Sequence, residues 1–474
     1  MPRATTRSLW VKLIGATILA LLLVLGACSG GGDGGKTAEA GDFNILVIVI
    51  DTLAAKHLGC YDSSLDNSPV IDRLAAEGVF FNRAYSTAPW TQPAVASLFT
   101  SLMPSDNGVQ QVFNTLSDSL VSVTELMRER GLWTQGVTSN FIVADEFGFA
   151  QGFERMNDSP CAGHDAITSA DVTAAAKLVL DRAGRRPFYL YVHYFDPHWT
   201  FNHHPAFDRT SGYAGRLKAG MDIGDLRSIR DDLDPVDIAY LENLYREEIA
   251  YTDQQVGELL AHLQQLGLDD NTLVVLTADH GEEFMEHGWI GHTASLYDEL
   301  IHVPLIFHLP GLLAARTVEQ PVSLMDVLPT LVDLTGRPAP GVRWQGKSLV
   351  GLMKGTDPGD PERPLFAEVS YISPDDWPTG DDQQKRFFKT SLRVGQWKLI
   401  HDLLTDQLEL YDLANDPGEM TNVWQDGSTI GQELEGLLAV WEQNRGEGGL
   451  DPDAEMPEMD AALLKKLRSL GYVH

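Results

Sequence analysis

Basic residues are scarce in this chain of 474 residues. It carries 35 Lys and Arg but 67 Asp and Glu, which gives a formal net charge of −32 at pH 7. A protein that binds nucleic acid non-specifically needs a basic surface to neutralise the phosphates. The charge balance therefore excludes nucleic acid as a partner, and we expect most of the acids to solvate the surface.

Cysteine is scarce too, with three in the chain. Cys60 and Cys161 could form one disulfide in an exported protein, but no pattern in the sequence places them together. The chain also lacks an internal repeat. Its hydrophobic content of 43% is enough for one large domain with an appended subdomain.

The longest apolar run, residues 13–25, is too short for a comfortable membrane span. Basic residues precede it, as in an export signal, and it leads into Gly-Ala-Cys28-Ser, which resembles the lipobox of bacterial lipoproteins. This resemblance implies a signal peptide at 1–27, lipidation of Cys28 and a Gly-rich tether at 28–41. We therefore expect an exported bacterial lipoprotein. Its lipid anchor would attach it to a membrane of the cell envelope, on the periplasmic or outer face.

Short apolar stretches alternate with amphipathic helical stretches between residues 42 and 365. This alternation is typical of an α/β fold with a doubly wound, mostly parallel sheet flanked by helices. Beyond residue 365, short alternating strands and two helices predict a smaller C-terminal α+β subdomain at 366–474. The predicted strands of the larger domain are 44–50, 133–138, 188–193, 273–278 and 303–309, and the predicted helices of the chain are 69–78, 169–183, 235–266, 325–335, 430–442 and 461–470.

Two of the predicted strands each end at an acid. One runs into Asp51, and another runs into Asp279 and His280. Open parallel sheets bind ligands at the carboxyl ends of their strands. Two carboxylates and an imidazole that converge there are typical ligands of a divalent metal ion. The alternative is that Asp51 only caps its strand and that His280 lies on the surface.

A series of short motifs extends over almost the whole chain after the tether. The motifs are Ile48-Val-Ile-Asp-Thr-Leu, His57-Leu-Gly-Cys-Tyr, Trp90-Thr-Gln-Pro-Ala-Val-Ala-Ser-Leu-Phe-Thr, Tyr194-Phe-Asp-Pro-His, Thr277-Ala-Asp-His-Gly-Glu, Gly291-His, Tyr297-Asp-Glu, Val303-Pro-Leu, Asp326-Val-Leu-Pro-Thr, Leu410-Tyr-Asp-Leu and Asp416-Pro-Gly. In this order they are specific, and the chain resembles the sulfatases of the alkaline phosphatase superfamily. The resemblance implies an alkaline phosphatase-like fold and a metal-dependent enzyme that acts on anionic esters.

The family's nucleophile falls on Thr91, where the chain departs from the family. Sulfatases carry a Cys/Ser-x-Pro-x-Arg motif whose first residue is oxidised to formylglycine. Residues 91–95 read Thr-Gln-Pro-Ala-Val, so that Pro93 matches and Thr91 and Val95 do not. A Thr cannot give the formylglycine aldehyde, and no formylglycine is expected. A Thr nucleophile resembles that of the phosphoryl-transfer branches of the superfamily. In those branches water can attack the phosphorus of a phosphorylated Thr and regenerate the free Thr.

The predicted local structure also suits Thr91 as a nucleophile. Pro93 predicts the start of a helix that runs to Thr100, which puts Thr91 at the helix N-terminus. There the free N–H groups and the helix dipole stabilise an anionic oxygen. A role as a plain N-cap is the alternative interpretation of a Thr at this place.

The resemblance implies four metal ligands: Asp51, Thr91, Asp279 and His280. The family usually carries a second acid at the position of Thr52 and an Asn at the position of His280. With fewer carboxylates and one imidazole, the site favours Mn²⁺, Zn²⁺ or Mg²⁺ over Ca²⁺. We therefore expect one divalent ion from that group.

Three further residues are candidates for contacts with the substrate. His198 matches the family's substrate-binding His, and His292 stands near the family's active-site Lys. Each could contact a non-bridging oxygen or protonate the leaving group, and Asn140 stands where the family has a Lys or His. His193, His203 and His204 are less favoured candidates, for a second metal ion. Glu282, Glu283 and His287 follow the predicted metal pair, and we expect them to lie behind the ligands or at the rim of the site rather than to bind the metal.

These expectations converge on a metal-dependent hydrolase or transferase of phosphate or sulfate esters, with Thr91 as nucleophile. The substrate is expected to be an anionic ester on a glycan, a lipid headgroup or a small molecule. Two alternatives stay open: a true sulfatase that works without formylglycine, and a catalytically silent relative that binds an anionic ligand. The charged stretches 208–234 and 373–389 fit no predicted element, and two interpretations stay open: loops over the site, or solvated insertions without a function.

Overall fold

The computed structural model describes residues 43–112, 114–163, 166–372, 386–425 and 427–446. Strands and helices alternate along the first three quarters of these residues, as predicted. The strands are β1 (Asn44–Ile50), β2 (Val79–Tyr85), β3 (Trp133–Thr138), β4 (Arg155–Asn157), β5 (Phe188–Tyr194), β6 (Thr272–Ala278), β7 (Glu283–Phe284), β8 (Ile290–Gly291), β9 (His302–His308), β10 (Arg316–Val318), β11 (Val322–Ser323), β12 (Leu365–Ile372), β13 (Arg386–Val394), β14 (Trp397–Asp402) and β15 (Gln407–Asp412).

Some of the α-helices begin after a residue whose side chain accepts hydrogen bonds from the first backbone N–H groups. The Asp234 carboxylate, for example, accepts hydrogen bonds from the N–H groups of Val236 at 2.8 Å and Asp237 at 2.9 Å. The helices are α1 (Pro69–Glu77), α2 (Thr91–Thr100), α3 (Pro104–Asn107), α4 (Val123–Glu129), α5 (Ser169–Ala183), α6 (Ile223–Ser228), α7 (Pro235–Gln265), α8 (Asp298–Ile301), α9 (Val327–Leu334), α10 (Val350–Lys354) and α11 (Thr429–Asn444).

The central sheet has the strand order β10-β2-β9-β6-β1-β5-β3-β4, with β11 paired to β2. Among its described strands, β9 alone runs antiparallel to its neighbours. Every residue of β1, β5 and β6 is buried, because helices cover both faces of the sheet. The predicted α/β fold with a mostly parallel sheet is confirmed.

The C-terminal part contains a four-stranded antiparallel sheet, β12-β13-β14-β15, and α11 packs on it through Leu434 and Leu438. This arrangement confirms the predicted smaller α+β unit. The unit is tied to α8 by the Asp298 carboxylate, which pairs with Arg393 and lies 2.8 Å from Lys398 Nζ. The domain limits at 42–365 and 366–474 stay predictions.

The strand 133–138 and the helix 169–183 are confirmed at their predicted bounds. The stretch 208–234 was wrongly predicted as structureless, because Asp222 caps α6 and α6 buries Ile223 and Leu226. Residues 386–389 were also wrongly predicted as a loop. They belong to β13, whose residues 386–393 pair with β12, and pairing between separate strands leaves no local signal.

Some predictions lie outside the described residues. These are the signal peptide 1–27, Cys28, the tether 28–41, the helix 461–470 and most of the stretch 373–389. Within the part of the chain that is described, no helix is long and apolar enough to cross a bilayer. Cys60 and Cys161, both described, are not joined to each other.

Candidate active site

Three neighbouring strands bring several of the predicted site residues together. Asp51 follows β1, Asp279 follows β6, and His193 is the penultimate residue of β5. The strand β1 lies between β5 and β6 and runs parallel to both. Because the carboxyl ends of parallel strands meet at one edge of the sheet, the three side chains converge there.

The two carboxylates contact His280, and all three side chains are fully buried. His280 Nε2 lies 3.5 Å from Asp51 Oδ1 and 3.6 Å from Asp279 Oδ2. Asp279 Oδ1 accepts hydrogen bonds from the N–H groups of Thr52 at 3.2 Å and His280 at 2.9 Å. Asp279 Oδ2 has no hydrogen-bond partner among the described residues. Burying a carboxylate oxygen without a partner is costly, so this oxygen suits a bound cation.

His193 adds an imidazole that the sequence analysis favoured less. Its Nε2 lies 3.5 Å from Asp51 Oδ2, and its Nδ1 lies 3.2 Å from the Tyr191 hydroxyl. One donor atom each from Asp51, His193 and Asp279 lies within 4.8 Å of the other two. Two carboxylates with imidazoles form a donor set that fits Zn²⁺ or Mn²⁺. We call Asp51, His193, Asp279 and His280 the metal cluster.

The two acids of the metal cluster have different pKa values. Burial raises the pKa of the Asp51 carboxyl, but the neighbouring His193, His198 and His280 outweigh burial and lower this pKa to about 2. Burial and then the charge of Asp51 raise the pKa of Asp279 to about 6. Both carboxyls are therefore largely ionised at neutral pH, where a divalent cation would bind them.

Thr91 is the first residue of α2, and its hydroxyl lies against the metal cluster. Its Oγ1 is 3.4 Å and 3.5 Å from the two Asp51 oxygens and 3.3 Å from His280 Nε2. His280 Nδ1 lies 2.9 Å from the Gly281 carbonyl, which can only accept. The neutral ring therefore carries its hydrogen on Nδ1 and presents a lone pair on Nε2. The predicted helix start is confirmed, and Trp90 occupies the N-cap position.

Asn140 lies beside the metal cluster. Its Nδ2 donates to Asp51 Oδ2 at 2.5 Å, and its Oδ1 accepts from the Ile142 N–H at 3.1 Å. The amide thus fixes the Asp51 carboxylate, a contact that the sequence did not predict. Its assignment to the substrate stays a prediction.

His198 and His292 are neighbours next to His280. The His292 ring centroid lies 5.0 Å from that of His198 and 4.4 Å from that of His280. Burial lowers the pKa of His198 to about 4, so its ring is neutral at pH 7, and its Nδ1 lies 2.7 Å from the Trp199 carbonyl. Glu282 Oε1 lies 2.9 Å from His292 Nδ1 and orients that ring.

The stretch 208–234 contributes a cation that the sequence analysis missed. Arg227 lies in α6, and its guanidinium carbon is 5.3 Å from the ring centroid of Trp199 and 5.0 Å from that of Trp289. Its Nε donates to the Ile290 carbonyl at 2.9 Å. An Arg within a charged stretch carries no periodic or motif signal, and only the tertiary contacts reveal it.

Two buried acids of α7 attach the chain before α6. Glu247 Oε2 accepts from the His204 N–H at 2.9 Å and lies 2.7 Å from His203 Nδ1. Glu248 Oε1 accepts from the Asn202 N–H at 2.7 Å. The two histidines therefore help to fix the segment that leads to α6 and Arg227.

Comparison with known proteins identifies the family. The sulfatase family profile matches residues 43–337, and the profile for the C-terminal part of N-sulphoglucosamine sulphohydrolase matches residues 285–440. An N-acetylglucosamine-6-O-sulfatase of Bacteroides thetaiotaomicron is 23% identical over 517 residues, which covers 90% of each chain.

Solved structures show the same fold. A 2-O GAG sulfatase superposes with a TM-score of 0.71 at 23% identity, covering 91% of this chain and 98% of the other. A phosphonate monoester hydrolase from Silicibacter pomeroyi superposes with a TM-score of 0.68 at 21% identity, covering 85% of this chain and 96% of the other. Since the family profile covers more than half of the chain, the protein belongs to the sulfatase family of ester hydrolases.

Proposed function

We propose that this protein hydrolyses a phosphate or sulfate ester by in-line attack of the Thr91 oxygen. The observation that carries the proposal is the position of Thr91 Oγ1, 3.4 Å from Asp51 Oδ1 and 3.3 Å from His280 Nε2. At the first residue of α2, the helix dipole also favours the negative charge that develops on this oxygen.

The metal cluster supports the same proposal. A divalent ion held by Asp51, Asp279, His280 and Thr91 would lower the pKa of the Thr91 hydroxyl and neutralise charge on the ester. The unpartnered Asp279 Oδ2 fits such an ion. The set of carboxylates with imidazole favours Zn²⁺ or Mn²⁺, with Mg²⁺ next and Ca²⁺ last. His193, beside Asp51, would act as a further ligand.

The proton transfers are assigned to the histidines next to the cluster. His292, oriented by Glu282, would protonate the leaving oxygen, and His198 would contact a non-bridging oxygen. The Thr91 proton would be lost to solvent as the hydroxyl is activated. In the second step His292, now deprotonated, would take a proton from the water that attacks phosphorus or sulfur, and the Thr91 oxygen would leave. Asn140 would contribute by holding Asp51, in addition to its predicted contact with substrate.

Thr91 favours phosphorus as the centre of attack. Water can attack the phosphorus of a phosphorylated Thr and free the Thr. A sulfated Thr lacks the route through an aldehyde by which formylglycine expels sulfate. We therefore place phosphoesters first. A sulfatase without formylglycine comes second, and the family membership supports this second candidate. A silent relative that binds an anionic ligand comes third, because a pure binder has little use for the metal cluster.

The proposed substrate is an anionic ester on a sugar. The relatives include an N-acetylglucosamine-6-O-sulfatase, and the rings of Trp199 and Trp289 beside Arg227 suit a sugar that carries acidic groups. A lipid headgroup or a small molecule remains the alternative carrier of the ester.

We also propose that the protein is a bacterial lipoprotein, because the predicted signal and lipobox fit an exported enzyme. In this proposal Cys28 carries the lipid, and the tether 28–41 holds the catalytic domain at the envelope membrane. Mass spectrometry of the mature N-terminus tests the proposal. A diacylated Cys28 supports it, and an unmodified N-terminus at another residue overturns it.

The decisive experiment for the reaction compares aryl phosphate monoesters, aryl phosphate diesters and aryl sulfate as substrates of the purified chain. Each assay is run with Mn²⁺, Zn²⁺, Mg²⁺ or Ca²⁺, for the wild type and Thr91→Ala. Thr100→Ala, at the other end of α2, is the matched control. Phosphoester turnover that Thr91→Ala abolishes supports the proposal, and sulfate turnover alone supports the second candidate. Turnover that survives Thr91→Ala overturns the role of Thr91.

A further inference from the structure

A second cluster of metal-ligating side chains lies outside the metal cluster. Glu283 opens β7, His287 lies in the turn between β7 and β8, and Glu299 lies in α8. One donor atom of each residue lies within 4.8 Å of the other two. We call these three residues the hairpin cluster.

The hydrogen bonds of His287 set up its ring for metal binding. His287 Nε2 lies 3.1 Å from the Glu419 carbonyl, and since a carbonyl only accepts, Nε2 carries a hydrogen. The other ring nitrogen, Nδ1, lies 2.5 Å from Glu299 Oε1. A ligating histidine usually donates its second N–H to a carbonyl or carboxylate, and His287 has that arrangement.

Two oxygen atoms without a partner in the described part of the chain belong to Glu283 and Ser295, which line one cavity. Glu283 is 1% exposed. Its Oε1 accepts from the N–H groups of His287 at 3.1 Å and Trp289 at 2.9 Å. Its Oε2 and the buried Ser295 Oγ both lack a hydrogen-bond partner within the described ranges. Buried polar atoms normally have partners, so these two atoms point to a ligand.

Glu283 and His287 of the hairpin cluster line a cavity of about 500 Å³, which provides a path for entry. Ser295 and the β13 residues Phe387 and Lys389 line it as well. A ligand in the hairpin cluster could therefore exchange with solvent without unfolding of the central sheet.

The charges in the hairpin cluster favour a cation. Two buried carboxylates face one imidazole, and a divalent ion with a neutral His287 would bring the total charge to zero. Without an ion, a proton on His287 Nδ1 does part of this work. Burial lowers the pKa of His287, but the hydrogen bond to Glu299, the charges of Glu299 and Glu283 and the contact with the Glu419 carbonyl together outweigh burial and raise this pKa to about 9. A metal ion and a proton thus compete for the same nitrogen.

We propose that Glu283, His287 and Glu299 form a second divalent-metal site of the Zn²⁺ type, with a fourth position open to the cavity for water or Ser295. A tetrahedral ion with bonds of about 2.0–2.2 Å separates its donor atoms by roughly 3.3–3.6 Å. The donor atoms of the hairpin cluster lie between 2.5 Å and 4.8 Å apart, so small side-chain rotations reach that geometry.

The location suggests what this ion does. The hairpin β7–β8 follows Asp279 and His280 and leads directly into His292. An ion bound to the hairpin cluster fixes the hairpin to α8 and, through the Glu419 carbonyl, to the C-terminal part. It therefore acts as a structural ion that holds the segment between the proposed metal ligands and His292.

Zinc content measured by mass spectrometry tests the site. The purified chain is stripped with a chelator, dialysed against Zn²⁺ and analysed as wild type, Glu283→Gln, Asp279→Asn and the double variant. The expected result is that each single variant loses about one equivalent of zinc and the double variant loses both. Glu286→Gln, on the same hairpin but paired with Lys56 at the surface, is the matched control and keeps the wild-type content.

The outcomes separate this proposal from the proposed function. Glu283→Gln with the wild-type zinc content overturns the second site, whereas an unchanged content in Asp279→Asn counts only against the metal cluster. If Glu283→Gln fails to fold, anomalous scattering from zinc in wild-type crystals decides. A peak at His287 Nδ1 supports the site, and a peak at the metal cluster alone overturns it.

Discussion

His193 and Asp51 lie side by side at the carboxyl edge of the central sheet, with 3.5 Å between Nε2 and Oδ2. Both side chains are fully buried, and His193 Nε2 has no hydrogen bond to any described residue. The separation is close to that of two donor atoms on one tetrahedral ion, about 3.3–3.6 Å. This contact makes His193 the strongest addition to the predicted metal ligands.

We expect His193→Ala to weaken metal binding by about 10–100-fold, since a ligand or the partner of a ligand is lost. Activity measured as a function of added Zn²⁺ or Mn²⁺ gives this value, and excess metal should restore most of the turnover. His308→Gln, on β9 away from the cluster, serves as the control. An unchanged metal dependence of His193→Ala would exclude His193 from the site.

Glu282 is expected to act through His292. Because its carboxylate lies 2.9 Å from His292 Nδ1, Glu282→Gln should lower kcat about tenfold and change the pH profile while KM stays similar. The double variant Glu282→Gln/His292→Ala should be no slower than His292→Ala, since residues that act as a unit are not additive. Additive losses in the double variant would show that Glu282 acts independently.

Arg227 is expected to contribute to substrate binding. Its charge lies beside Trp199 and Trp289 next to the proposed site, so Arg227→Met should raise KM for an anionic ester about tenfold, which corresponds to about 1.4 kcal/mol. Arg230→Met is a matched control, because Arg230 also lies 5.2 Å from the Trp289 ring. Equal effects of both substitutions on KM would argue against a specific role for Arg227.

Glu368 on β12 makes the stability of the protein depend on pH. Burial raises the pKa of its carboxyl from 4.5 to about 7, so the folded chain holds this proton more tightly than the unfolded chain. Its contribution to stability is therefore present below pH 4.5 and is lost as the pH rises through 7.

Glu368→Gln removes this dependence and should leave an oxygen that accepts from the Ser105 N–H. We expect the substitution to increase the free energy of unfolding at pH 8 by roughly 1–3 kcal/mol and to change it little at pH 4. Urea unfolding at both pH values measures this difference. A destabilised variant at pH 8 would mean that the Glu368 charge is compensated by Arg445, 3.9 Å away.

Much of the fold could be predicted because its signals are local. The helix predicted at 235–266 was found from its apolar spacing and is observed at Pro235–Gln265, and the start of α2 at Thr91 was found from Pro93. The stretch 208–234 was not resolved into α6, since six residues capped by Asp222 are too few for a periodic pattern. The strand residues 386–389 were missed because their partner strand, β12, ends at Ile372, and pairing with a separate strand leaves no local signal.

The residues of the candidate site show the same difference between local signals and long-range contacts. Asp51 and Asp279 were recognisable because each ends a continuous apolar strand, and Thr91 because it stands in a family motif. His193 received little weight, since its role depends on β5 lying next to β1. Arg227 gave no signal at all, because it reaches the site through contacts of α6 with residues distant in the chain.

The sequence by itself determined the fold class, the family and the departure at Thr91, since each depends on residue order and local chemistry. The tertiary structure alone decided which side chains share a space: His193 with Asp51, Glu282 with His292, and Glu283 with His287 and Glu299. The physical reason is that metal binding and orientation of a ring depend on distances of a few ångströms. Such distances between remote segments are set only when the strands pair and the helices pack.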